Sequence, residues 1–385
     1  MSKKKILVIG MVNSIHLNKW LSLFRNTNHD FLIFPSTVFK KPNEEYIKYD
    51  RTFLLNSSKK FKLFHISKSL FNFLFLKIDH LFFNRVFQMY FLGKVINKFN
   101  PDFIHTIEFQ NAGYLYSDYL KKNYKKNIWI LTNWGSDINY FKNFDFHKKK
   151  IKRLLSLADK YSAECLRDYN LAKKYGFKGK NLPCFPNTGG INYSFTKKYI
   201  PNSFSEKEKI ILVKGYQSIF SNASLVIKVF GKLHKELLNY KIIFFSCDDK
   251  LIPDINNLIY KYNLNVNTIS QKRPIKNIDM MKLYSKSLII ISNSLSDGIS
   301  TSMLEAMSMG VFPVQSNASC FQGWVDHKKN GYIFKKNSIS DLTKGIEFSL
   351  VKNDILENSF YYNKKKVFKN ANYEKIKKRA LVFYD

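Results

Sequence analysis

Two acids bracket a glycine turn and three hydroxyl residues in the stretch Asp297-Gly298-Ile299-Ser300-Thr301-Ser302-Met303-Leu304-Glu305. The apolar run Ile289-Ile290-Ile291 before it reads as a buried strand ending at Ser292, and residues from Ser300 to Met309 read as a helix. The first-turn N–H groups of such a helix have no intrahelical partner. Together with the helix dipole they make an anion site suited to a diphosphate, to which the hydroxyls of Ser300, Thr301 and Ser302 add donors. Glu305 lies about one turn further in, where its carboxylate can accept both hydroxyls of a ribose. Asp297 then falls on the sugar side, behind Gly298. A capped helix with an ordinary surface acid needs the same residues, so the local pattern alone leaves both readings open.

Further cations stand at Lys214, in Leu212-Val213-Lys214-Gly215, and at Arg273, just after the apolar run Val266–Ile269. His105 closes the run Pro101-Asp102-Phe103-Ile104-His105, a strand-end position where a histidine is often just a satisfied polar residue. There is no D-x-D pair to hold a metal on a diphosphate, and no G-x-S-x-G, P-loop or H-E-x-x-H. The four cysteines, at 165, 184, 247 and 320, form no C-x-x-C pair. The expectation is a site without metal or resident cofactor, with a leaving diphosphate met by cations and a helix end.

These residues need a scaffold, and the sequence suggests one twice. Ile6–Gly10, Phe31–Phe34, Phe103–His105 and Ile128–Leu131 read as buried strands, with a helix over Leu17–Phe24. A polar stretch, 192–208, follows as a linker. The alternation then restarts with strands at Ile210–Val213, Ile242–Ser246, Leu288–Ser292 and Val311–Val314 and helices at Leu225–His234 and Ser300–Met309. An α/β chain of 385 residues with two doubly wound, Rossmann-like domains is expected: 1–200, 201–370, and a last helix in 371–385 packing back on the first domain. In open sheets of this kind ligands bind beyond the carboxyl ends of the strands, where Gly10, His105, Lys214 and Asp297 all fall.

The stretch from Ser296-Asp297-Gly298 through Leu304-Glu305-Ala306-Met307 to Gly310 and Pro313-Val314 resembles the E-x7-E signature of family-four retaining glycosyltransferases, which have the GT-B fold. The first acid is Asp297 where that family commonly has Glu, and Ile299-Ser300 stands for Phe-Gly, whereas Glu305 is in register. Other segments match in the same chain order. Gly10-Met11-Val12-Asn13-Ser14-Ile15-His16 resembles the family's first loop, Pro101 to His105 its D-x-x-H strand end, and Trp134-Gly135-Ser136-Asp137 its H-G-S-D segment. The family usually has G-R with a following Lys where this chain has Lys214-Gly215.

The resemblance implies two domains facing across a cleft and transfer of a sugar from a nucleotide-sugar donor, with retained configuration, to a glycan or lipid-linked acceptor. It implies that Glu305 holds the ribose, that Asp297 and His105 orient the sugar, and that Lys214 and Arg273 meet the diphosphate. Gly10 would lie beside the donor; Asn13, His16 and Asp137 would lie on the acceptor side. Surface polysaccharide or lipopolysaccharide assembly is the setting it suggests. A nucleotide-sugar epimerase on the same fold, and a non-catalytic basic protein binding membrane or nucleic acid, are the alternatives.

The chain carries 63 Lys and Arg against 29 Asp and Glu, a net charge of +34, which favours anionic partners. The joint abundance of Lys, Asn, Ile and Phe is also what a biased genome composition produces. In residues 59–99, Lys59, Lys60, Lys62, Lys68, Lys77, Arg85, Lys94 and Lys98 interleave with many phenylalanines, which reads as a basic aromatic helix pair suited to an anionic membrane surface. The run Lys148-Lys149-Lys150-Ile151-Lys152-Arg153 adds to it. No uninterrupted apolar segment approaches the roughly 20 residues needed to span a bilayer. A cytoplasmic protein, peripheral on the inner face of the plasma membrane and without a nucleic-acid partner, is expected.

Overall fold

The computed structural model describes residues 2–37, 40–52, 60–64, 85–124 and 126–385. It divides into two units, Met1–Gly189 with Ile376–Asp385, and Gly190–Lys375. Residues 190–200 therefore go with the second unit. Ile191 explains this: its N–H donates to Ala371 O at 2.7 Å and its carbonyl accepts from Tyr373 N at 2.9 Å. The expected polar linker is not bare loop, since Tyr193–Thr196 is a helical turn and short 3-10 turns follow.

The first unit is built on β1 (Lys5–Gly10), β2 (Asp30–Pro35), β3 (Asp50–Thr52), β4 (Phe61–Phe64), β5 (Phe103–Ile107), β6 (Ile128–Thr132), β7 (Lys160–Ser162) and β8 (Lys180–Asn181). They form one parallel sheet in the order β3-β4-β2-β1-β5-β6-β7-β8. Ile6, Leu7, Val8 and Ile9 are all buried, as a parallel strand covered on both faces requires. The helices Val86–Phe99, Tyr114–Tyr119 and Asp145–Leu157 share one core with the sheet through Leu92, Leu115, Leu154 and Leu155. The last residues pack in this unit, with the Phe383 ring 4.9 Å from Trp20.

The expected helix pair over 59–99 is only partly a helix. Phe61–Phe64 is a strand and Val86–Phe99 a helix, while Lys59, Lys68 and Lys77 lie outside the described residues. Lys62 is buried and ion-paired to Asp30 at 3.2 Å, so it belongs to the sheet.

The second unit is built on β9 (Glu208–Lys214), the short ribbon strands β10 (Gln217–Ser218) and β11 (Ser221–Asn222), then β12 (Lys241–Cys247), β13 (Asn265–Ser270), β14 (Ser287–Ser292), β15 (Phe312–Ser316) and β16 (Tyr332–Phe334). The main sheet is parallel in the order β13-β12-β9-β14-β15-β16. Counted along the chain this is the doubly wound order 3-2-1-4-5-6, and the strand order reverses between β9 and β14. Among the described residues, no helix is long and apolar enough to cross a membrane.

Candidate functional site

In the second unit, the two strands flanking the reversal present the two residues of opposite charge. Lys214 ends β9, Asp297 follows β14, and Lys214 Nζ lies 3.5 Å from Asp297 Oδ2. Lys214 Nζ also stands 5.0 Å over the Tyr216 ring. Gly215 allows β9 to end this close to β12, because a Cβ there would lie 2.8 Å from Cys247 Cα. The segment leading to Asp297 is stitched to the β10–β11 ribbon. Asn222 N donates to Asn293 O at 3.0 Å, Asn293 Nδ2 to Asn222 O at 2.9 Å, and Leu295 N to Phe220 O at 2.7 Å. These bonds hold the loop that carries Asp297 beside the end of β9.

The helix that follows is Thr301–Ser308, with Ser300 as its N-cap. Ser300 Oγ accepts from Met303 N at 3.4 Å and lies 3.1 Å from Ser302 Oγ. Ser300 is buried and acts as the cap, so Thr301 and Ser302, both half-buried, are the hydroxyls nearer solvent. Gly298 is buried in the turn, its carbonyl accepting from Cys320 N at 3.0 Å. Glu305 is half-buried one turn into the helix. Its charge reaches Tyr284, whose phenol is pushed well above its ordinary value by burial first and then by Glu305 and Tyr216. Gly310, at φ +79°, ends this helical segment in a conformation that glycine adopts without strain.

Arg273 is not part of this group. It lies exposed after the edge strand β13, two strands from β9, and its side chain makes no hydrogen bond or ion pair with Lys214 or Asp297. The sequence pattern carried no information on sheet position.

In the first unit the reversal lies between β1 and β5, and Gly10 ends β1 there. A Cβ on Gly10 would stand 3.2 Å from Leu17 Cδ2. Asn13 is exposed in the loop that follows. His16, in the helix Ile15–Ser22, meets Trp134 edge-on at 5.8 Å, so the loops after β1 and β6 converge.

His105 departs from its expected role. It is fully buried, with Nδ1 2.8 Å from Tyr384 Oη and Nε2 2.7 Å from Thr132 Oγ1. Burial alone holds its imidazole down at about 3. Both ring nitrogens are occupied inside the unit. Asp137 departs similarly. Its Oδ2 accepts from Trp134 N at 2.8 Å and Phe109 N at 3.1 Å, and burial and the nearby Glu108 push its carboxyl well above the usual range. It braces two loops.

Glu108 was not singled out by sequence. It follows β5 at φ +75°, is buried, and its carboxylate accepts from Asn111 N at 2.9 Å and from Ala112 N. Burial pushes it up to about 7 against the lowering effect of those bonds. A carboxylate directly after an apolar strand, Phe103 to Ile107, was the available signal.

Two parallel-sheet α/β units, the second with an ion pair and a capped helix at its strand reversal, have the architecture of the GT-B fold. Residues 195–367 match the family model described as glycosyl transferases group 1, and residues 5–163 match the one described as glycosyl transferase 4-like. The chain belongs to the family-four glycosyltransferases with the GT-B fold. Its fold is similar to that of sucrose-phosphate synthase from Thermosynechococcus elongatus, at 13% identity and a TM-score of 0.71 over 99% of this chain and 98% of that one. It is also similar to HepE of Anabaena in complex with UDP-glucose, at 12% identity and TM-score 0.66 over 99% of each chain. The apo lipopolysaccharide outer core galactosyltransferase WaaB is similar at 12% identity and TM-score 0.67, over 98% of this chain and 99% of that one. No curated protein sequence matches the chain.

Proposed function

We propose that the chain transfers a hexose or related sugar, with retention, from a nucleotide-sugar donor to a glycan or lipid-linked acceptor. The observation that carries this reading is the Lys214–Asp297 pair, 3.5 Å apart at the strand reversal and followed directly by the capped helix that bears Glu305. In this reading Glu305 accepts the ribose hydroxyls. The first-turn N–H groups of Thr301–Ser308, with the Thr301 and Ser302 hydroxyls, bind the diphosphate. Lys214 meets the negative charge that builds on the leaving diphosphate as the glycosidic bond breaks, and Asp297 orients both Lys214 and the sugar. Asn13 and His16, in the first unit, contact the acceptor.

Retention implies attack from the face the leaving group departs, so the diphosphate itself receives the acceptor proton. No metal is required by this arrangement, because a cation and a helix end supply the counter-charge. The setting is surface polysaccharide or lipopolysaccharide assembly, with the protein peripheral on the inner face of a membrane. HepE with UDP-glucose and the galactosyltransferase WaaB support a uridine nucleotide and a surface glycan as first choices.

The test is a panel of nucleotide sugars scored by thermal stabilisation and by slow hydrolysis. One donor should raise the melting temperature in the wild type and not in Glu305→Ala. Formation of an epimer from a nucleotide sugar without acceptor would replace transfer by epimerisation.

A further inference from the structure

The excess of positive charge is uneven. The first unit carries 36 Lys and Arg against 14 Asp and Glu, a net +22, and the second carries 27 against 15, a net +12. Within the first unit the helix Asp145–Leu157 buries Ile151, Leu154 and Leu155 and leaves Phe146, Lys149 and Lys152 exposed. Phe146 is 64% exposed and Phe144, its N-cap, 47%. Rings this open in water forgo most of the burial that places phenylalanine inside proteins. Lys150 Nζ stands 5.0 Å over the Phe146 ring.

The surface continues sideways. The helix packs beside Tyr114–Tyr119, which packs beside Val86–Phe99. Val86–Phe99 exposes Tyr90, with Lys94 Nζ 4.6 Å over its ring. Of the acids here, Asp118 is neutralised by Lys121 at 2.7 Å and Lys150 at 3.2 Å, and the exposed Asp145, between the two rings, is outnumbered by Lys148, Lys149, Lys150 and Lys152 on its own helix. The face is thus cationic, with uncharged rings standing out of it.

We propose that this face docks the first unit on an anionic lipid bilayer, with Phe144 and Phe146 as apolar anchors and Lys149 and Lys152 as the cations at headgroup depth. Lysine stems lie along apolar surface while their ammonium groups stay at the phosphates, and the rings enter the headgroup boundary. Lipid fits better than nucleic acid for two reasons. The cations are lysines, point charges without the fork that reads phosphate and base geometry, and the one arginine of the run, Arg153, is half-buried. The rings also gather in one knot, Tyr140 with Phe144 at 5.4 Å and Phe146 with His147 at 5.3 Å, whereas single strands need successive stacking platforms. This inference does not rest on the donor site, so either can fail alone.

Co-sedimentation of the full chain with phosphatidylcholine vesicles, with and without phosphatidylglycerol, tests it. The wild type should sediment only with the anionic vesicles and less so as salt rises. K149Q/K152Q should partition on the order of thirtyfold more weakly, from the attraction of two lysines to an anionic surface. F144S/F146S should also lose binding. All four side chains are exposed, so these variants should fold and retain nucleotide-sugar stabilisation. K335Q/K336Q, which removes two exposed charges from the second unit, should sediment like the wild type. Equal sedimentation with neutral vesicles would overturn the proposal. So would wild-type binding by both first-unit variants, or an equal loss in K335Q/K336Q. Loss of oligonucleotide binding with vesicle binding intact would assign the face to nucleic acid instead.

Discussion

Lys214 Nζ and Asp297 Oδ2 lie 3.5 Å apart, one at the end of β9 and the other just past β14. Both side chains are partly open to solvent, so the pair itself adds about 0–1 kcal/mol to stability. Its value is positional. Lys214→Ala should lower transfer by on the order of a hundredfold or more while leaving the melting temperature nearly unchanged. Asp297→Asn should lose less, and the double variant should fall short of the sum, since each residue orients the other. Steady-state kinetics on the three variants checks this; additive losses would separate their roles.

Glu305 stands one turn inside the capped helix. Glu305→Gln keeps the shape and removes the charge, and Glu305→Ala removes both. Losing charge-assisted hydrogen bonds to two ribose hydroxyls should weaken donor binding by about tenfold to a hundredfold. Calorimetric titration with the donor should show the loss, and circular dichroism should show an unchanged fold.

His105 is predicted to act on stability and not on the sugar. Burial holds its imidazole at about 3, below the ordinary 6.5. Between those values the unfolded chain binds a proton that the folded chain refuses. The contribution to stability is therefore complete above about pH 6.5 and is lost as the pH falls towards about 3. His105→Ala should cost about 2–4 kcal/mol in urea unfolding, because the Tyr384 and Thr132 hydroxyls lose their partner and a cavity opens. A donor KM changed in the folded variant would contradict this assignment.

Glu108 runs in the opposite sense. Burial pushes its carboxyl from 4.5 up to about 7, so across that interval the folded chain keeps a proton that the unfolded chain has released. Its contribution to stability is present below about 4.5 and falls as the pH rises through about 7. Glu108→Gln keeps an acceptor for Asn111 N and Ala112 N without the charge. It should be more resistant to urea than the wild type at about pH 8, with the advantage shrinking towards about pH 5.

Gly215 sets how closely two strand ends approach. Gly215→Ala brings a Cβ to 2.8 Å from the Cys247 backbone, where nothing flexible can yield. The variant should lose about 1–3 kcal/mol of stability. It should also lose donor affinity beyond what Lys214→Ala alone explains, because the end of β9 moves as a whole. Calorimetry on the two variants compares them.

Much of this molecule is written locally. The central strands β1, β5, β9, β12 and β14 are short apolar runs because a parallel sheet covered on both faces leaves no room for alternation. Glu305 falls in register with its signature because a helix start, a cap and an acid one turn on are separated by a few bonds of chain. The short strands β3 and β8 were illegible, since Asp-Arg-Thr and Lys-Asn carry no apolar run. They pair because neighbouring strands offer free edges, and Lys160 is satisfied by the carbonyls of Phe383 and Asp385.

What each polar group faces was decided only by the tertiary structure. His105 looked like a sugar contact until Tyr384, 279 positions away, and Thr132 supplied partners for both ring nitrogens. Asp137 looked outward until two backbone amides took its carboxylate. Arg273 stood second to Lys214 as a cation along the chain, and sheet order put it after the edge strand and Lys214 at the reversal. Sequence by itself determined the α/β architecture and the helix that carries Glu305, because those depend on contacts within a few residues. The pairing of Lys214 with Asp297 depends on which strands lie side by side, and that is a property of the folded sheet.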